Sequence, residues 1–137
     1  MHPVLASDIG VICWGLYLTI PSSTSFAGQT IIVTGSNTGL GLEATRHFVR
    51  LDAARVILAV RPVKKGEDDK ASIEASTNHK NVVEVWQVDM SNYDSIKAFA
   101  KKCNSLDRLD VVVTNTGILR HIYEECEGTE ISVTVKC

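Results

Sequence analysis

The chain has 137 residues, enough for one domain with a moderate core. Apolar residues make up 45% and charged residues 22%, a balance that excludes an intrinsically disordered chain. A net charge of −2 offers no basic field for nucleic acid, and the four cysteines lack zinc-type spacing, so they read as scattered reduced thiols of a cytoplasmic protein.

Residues 1–27 form a lead segment. Within it residues 9–20, IGVICWGLYLTI, are apolar or neutral throughout. Twelve residues are too few for a membrane-spanning helix, which needs about 20. Asp8 precedes the run without any Lys or Arg, and no A-x-A site follows it, so a secretory signal is also disfavoured. The expectation is an amphiphilic helix covering its own domain, with contact to a membrane surface as the weaker alternative. Pro21-Ser22-Ser23-Thr24-Ser25 then serves as a linker into a domain spanning residues 28–137.

From Gln29 onward, short β-branched runs alternate with amphipathic stretches. Residues 30–34 (TIIVT) read as a buried strand and residues 40–51 as a helix with a stripe of Leu42, Ala44, Phe48 and Leu51. Residues 56–60 (VILAV) give a second strand and residues 64–76 a polar helix. Residues 82–88 give a third strand, residues 91–103 a third helix capped by Ser91, and residues 109–114 (LDVVVT) a fourth strand. A loop and the start of another helix are expected after residues 118–120. Strands alternating with helices imply crossover connections: an α/β fold with a doubly wound parallel sheet of the Rossmann type. Continuous rather than alternating apolar strands imply that both faces are covered.

Between the first strand and first helix lies Thr34-Gly35-Ser36-Asn37-Thr38-Gly39-Leu40-Gly41. Gly35 permits the turn off the strand, Gly39 lets the backbone approach a pyrophosphate, and Gly41 lets the helix pack closely. The helix N-terminus then aims free N–H groups at the phosphates. In this setting Gly35, Ser36, Asn37, Gly39, Leu40 and Gly41 are candidate cofactor-binding residues.

These residues resemble the short-chain dehydrogenase/reductase family, whose T-G-x-x-x-G-x-G spacing is that of Thr34 to Gly41. Asp89, in Val88-Asp89-Met90, stands where the family carries an acidic residue at the adenine. Asn115-Thr116-Gly117 is similar to the family's N-A-G, with Thr116 replacing the alanine, and adds Asn115 to the implied cofactor residues. Leu58-Ala59-Val60-Arg61 with Lys64-Lys65-Gly66-Glu67 resembles the retinol-dehydrogenase-like branch and its fungal members. The resemblance implies a carbonyl or alcohol oxidoreductase, in fungi one of secondary metabolism.

The cofactor follows from the end of the second strand. An acid there would hold a ribose 2′-hydroxyl and repel a 2′-phosphate. Val60 occupies that place, followed by Arg61 and then Lys64 and Lys65. A guanidinium and a lysine suit a phosphate, so NADP is expected, with Arg61 and Lys65 as its ligands.

The resemblance implies a proton-donating tyrosine, a lysine four residues on and a serine, all beyond a fifth strand, with an asparagine on the helix before it. Against that pattern the chain reads as truncated after the fourth strand. Lys136 stands near the asparagine's place. Tyr93-Asp94-Ser95-Ile96-Lys97 has the tyrosine–lysine spacing, but it precedes the fourth strand and reads as surface residues. His121, Glu124, Glu125 and Cys126 likewise read as ordinary polar residues rather than a metal site. No catalytic residue or metal ligand is therefore assigned. Two function classes stand: an NADP-dependent reductase of a small carbonyl or alcohol, or a silent nucleotide-binding remnant. The edge of the fourth strand, Val111-Val112-Val113, is expected to drive self-association.

Overall fold

The computed structural model describes residues 11–13, 16–18, 24–37, 39–117, 125–126 and 128–130. In the lead segment β1 (Val11–Cys13) and β2 (Leu16–Leu18) pair antiparallel, with Ile12 opposite Tyr17. The expected lead helix is thus replaced by a hairpin. Gly10 and Gly15 would each weaken a helix by about 1 kcal/mol, whereas Val11, Ile12 and Tyr17 suit a pleated strand.

The domain is built from β3 (Thr30–Thr34), α1 (Gly39–Arg50), β4 (Arg55–Val60), α2 (Val63–Thr77), β5 (Val83–Gln87), α3 (Tyr93–Cys103) and β6 (Val111–Val113). The four strands form one parallel sheet in the order β5-β4-β3-β6. The chain therefore winds outward from β3 to β5, then crosses back to place β6 on the other side of β3. This is the Rossmann arrangement, with its topological switch point between β3 and β6.

Strand alternation divides the core into two layers. Ile31, Val33, Val56, Leu58, Val60 and Val83 face α1 and α2, packing on Val49 and Ile73. Ile32, Ile57, Ala59, Trp86 and Val88 face the other way, toward Ile96, Phe99 and Cys103 of α3. Full burial of each such side chain contributes about 1.5–3 kcal/mol. The central strands β3 and β4 are buried on both faces, whereas β5 and β6 are only partly covered. Val112, opposite Ile32, is 50% exposed, and β6 has no second strand neighbour among the described residues.

The buried stripe of α1 is Gly41, Thr45 and Val49, spaced four apart, with Leu42 and Phe48 flanking it. That differs from the expected stripe because a glycine and a threonine give no apolar signal. Thr45 hides its hydroxyl by donating to the Gly41 carbonyl at 2.9 Å. Helix α3 is capped by Asn92, not Ser91: Asn92 Oδ1 accepts from the Ser95 amide at 3.0 Å. After β6 the described residues hold a short antiparallel pair, β7 (Glu125–Cys126) with β8 (Thr129–Glu130), in the stretch where a loop and a helix start were expected; residues 131–137 lie outside the described residues. His121, Glu124 and Lys136 lie outside the described residues.

Candidate functional site

The site forms where β3 and β6 end side by side. Thr34, the last residue of β3, organises it. Its Oγ1 accepts the amides of Asn115 and Thr116 at 3.1 and 3.2 Å and donates to the Val113 carbonyl at 3.4 Å. The end of β6 is thereby tied to the end of β3. The motif contained Thr34, but only the register Val33↔Val113 shows why a hydroxyl is needed there.

Gly35 turns the chain off the strand with φ +62, the left-handed region that glycine enters without penalty. Its amide donates to the Ala59 carbonyl at 3.1 Å, anchoring the turn on β4. Its carbonyl accepts from Asn115 Nδ2 at 3.1 Å. Gly41 lies directly beneath this bond. A Cβ there would stand 2.6 Å from Asn115 Nδ2, 2.7 Å from the Gly35 carbonyl oxygen and 3.0 Å from Ser36 Cα. The close packing expected of Gly41 is therefore against the turn and Asn115.

Gly39 differs. Its φ is +56, and a Cβ there would meet none of the described residues within 4 Å. This is an open approach to the backbone at the first turn of α1. Leu40, next to it, is an apolar side chain that is 78% exposed. Asn37 is half-buried, and Ser36 is fully buried with its hydroxyl lacking a partner among the described residues. A diphosphate fits this turn: it has an open glycine face, a helix N-terminus beside it, and no acidic side chain from Thr34 to Gly41.

The second cluster lies at the ends of β4 and β5. Asp89 Oδ1 accepts from the Ser91 hydroxyl at 2.6 Å and the Ser91 amide at 2.9 Å. The hydroxyl first, then the amide, hold its carboxyl below the usual carboxylate range; burial opposes them and Arg61 assists. The Asp89 amide donates to Ser95 Oγ at 2.9 Å, which fixes the start of α3 beside it. Arg61 and Lys65 are both exposed. Lys65 stands one turn before Asp69 on α2, whose carboxyl is raised by burial, against the pull of Lys65 and Arg46.

The Val60 side chain is buried in the layer facing α1 and α2, close against Gly66. The first exposed position beyond β4 is Arg61 itself.

Tyr93 and Lys97 are exposed residues on α3, which follows β5 and precedes β6 in the chain. Lys97 is 3.7 Å from Asp94.

A sequence model of the family described as short chain dehydrogenase matches residues 29–136. The chain belongs to that family. It is 64% identical over 96 residues to the short chain dehydrogenase atnD of Emericella nidulans, covering 70% of this chain and 31% of that protein. To the short chain dehydrogenase/reductase dmxR8 of Cryptosporiopsis sp. it is 45% identical over 130 residues, 93% of this chain and 40% of that one. The chain thus spans well under half the length of these short-chain dehydrogenases. Among solved structures, a short-chain dehydrogenase from Sphingobium yanoikuyae in complex with NADPH shares the fold, with a TM-score of 0.67 at 20% identity, over 78% of this chain and 42% of that one.

Proposed function

We propose that this chain holds NADP(H) for a short-chain dehydrogenase/reductase reaction that interconverts a small carbonyl compound and its alcohol, within fungal secondary metabolism. The observation that carries the reading is the open Gly39 face at the first turn of α1, beside the β3–β6 switch point. With a dinucleotide bound there, the chemistry supplied is hydride transfer between its nicotinamide ring and the carbonyl carbon. The chain's own residues bind and orient. The turn from Gly35 to Gly41 receives the diphosphate, and Asn115 holds the turn in shape through the Gly35 carbonyl. Asp89, kept ionised by Ser91, accepts from the adenine side, while Arg61 and Lys65 receive the 2′-phosphate.

The preference for NADP rests on Arg61, the first exposed group after β4. The catalytic tyrosine, lysine and serine implied by the resemblance are not assigned within this chain, which spans 31% and 40% of the length of the two relatives. The place in secondary metabolism rests on the resemblance to fungal members, in keeping with the fungal relatives.

The test is titration of the intact protein with NADPH and NADH, followed by nucleotide fluorescence. NADPH should bind more tightly, and Arg61→Glu should weaken NADPH roughly 10–100-fold while sparing NADH, as expected for a lost charge-assisted bond. Equal affinities in the parent would remove the NADP assignment, and failure to bind either would remove the reading altogether. One observation favours a second reading, a nucleotide-binding module without turnover: Tyr93 and Lys97, which have the tyrosine–lysine spacing, lie as exposed residues on α3, between β5 and β6 in the chain. Tight NADPH binding without carbonyl-dependent oxidation would select it.

A further inference from the structure

We propose that the Thr116 hydroxyl is a ligand for the part of the dinucleotide shared by NADP(H) and NAD(H), donating to an oxygen of its diphosphate or adjoining ribose. This rests on the dinucleotide reading of the site and adds a residue to it. Four observations place the hydroxyl. Thr116 lies on the β6 side of the switch point, directly across from the Gly35 turn. Its backbone is fixed, because its own amide and that of Asn115 both donate to Thr34 Oγ1. A Cβ built on Gly35 would stand 2.9 Å from Thr116 Oγ1 and 3.0 Å from Thr116 Cα, so the side chain occupies the space that glycine leaves empty. Finally, Thr116 is half-buried, and its Oγ1 has no hydrogen-bond partner among the described residues and is not sealed from solvent.

A β-branched side chain seated on a rigid glycine turn has little rotational freedom, so the hydroxyl is preorganised rather than mobile. It sits against the Gly35 turn that leads into α1, so a diphosphate received by that turn would lie beside it. An anionic oxygen there gains a charge-assisted donor that an alanine at this position would not provide. The 2′-phosphate end lies elsewhere, at Arg61 beyond β4, so the contribution should not distinguish the two cofactors.

The experiment compares the intact parent protein with Thr116→Val, which keeps the branched shape against Gly35 and deletes the donor. Affinities for NADPH and for NADH are measured by calorimetric titration, and folding is checked by thermal unfolding without nucleotide. Thr116→Val should weaken both nucleotides alike, roughly tenfold, with an unchanged melting temperature. Unchanged affinity for both overturns the proposal, and so does a loss confined to NADPH. Should Thr116→Val fail to fold, the pair Thr116→Ser and Thr116→Ala decides: serine should retain affinity and alanine lose it, and equal behaviour overturns the assignment. A parent that binds neither nucleotide overturns the dinucleotide reading and this one with it. A parent that binds both, beside a Thr116→Val variant of equal affinity, overturns only the role of Thr116.

Discussion

Replacing Gly41 by alanine adds one methyl group, and the structure shows where that methyl goes. It would meet Asn115 Nδ2 at 2.6 Å and the Gly35 carbonyl oxygen at 2.7 Å. Asn115 is a side chain and could swing away, but doing so gives up its 3.1 Å bond to that same carbonyl. The Gly35 carbonyl belongs to backbone anchored through its own amide to Ala59. Overpacking of this kind costs about 1–3 kcal/mol, and the lost hydrogen bond about 1 kcal/mol. Alanine's advantage over glycine within a helix returns about 1 kcal/mol. The net expectation is a loss of about 1–3 kcal/mol in urea denaturation, together with weakened NADPH binding, because the turn and Asn115 are displaced together. Gly39→Ala is the matched control. It meets none of the described residues within 4 Å, so its only structural penalty is the left-handed backbone, about 1–2 kcal/mol. A Gly41→Ala variant with the parent's urea midpoint and NADPH affinity would refute the reasoning, since the contacts would then relax without loss.

Gly66→Ala probes the fold apart from the site: its Cβ would stand 2.6 Å from Val85 Cγ1 and 2.8 Å from Val60 Cγ2, where α2 crosses β4 and β5. Stability should fall by about 1–2 kcal/mol, while the affinity of the folded fraction for NADPH stays near the parent's; a loss of affinity without a loss of stability would contradict this. Asp89 supplies a pH test. Because its folded pKa is lowered, chiefly by the Ser91 hydroxyl, its contribution is present above the usual carboxylate range and is lost as pH falls through the lowered value. Ser91→Ala should therefore reduce the melting temperature at pH 7, with the difference shrinking below about pH 4. A difference that stays constant from about pH 7 to pH 3 would show that Asp89 is not its source.

Much of the domain was legible in the chain itself. The runs TIIVT and VILAV are apolar without alternation, which already states that β3 and β4 are covered on both faces. The spacing from Thr34 to Gly41, between such a run and a helix, announced both the family and the glycine turn after β3. Local pattern misled where an element is short or where the informative residue is not apolar. The lead run has the composition of a helix and a strand at once, and pairing between Val11–Cys13 and Leu16–Leu18 resolves it. Ser91 has the chemistry of a helix cap, but Asp89 engages it first and leaves Asn92 to close α3.

Other features exist only in three dimensions. Residue counting singles out Val60 at the end of β4; the structure shows that this side chain is buried in the core and that Arg61 is the first exposed residue after it. The motif shows that Gly35 and Gly41 are glycines; only the return of β6 beside β3 shows that Thr116 fills the space at one and Asn115 lies over the other. Sequence determines which backbone positions can turn and which runs are buried, because those are local properties of side-chain type. Which hydroxyl, amide or guanidinium meets the crevice is set by contacts between residues some 80 positions apart, and parallel strand pairing brings these together.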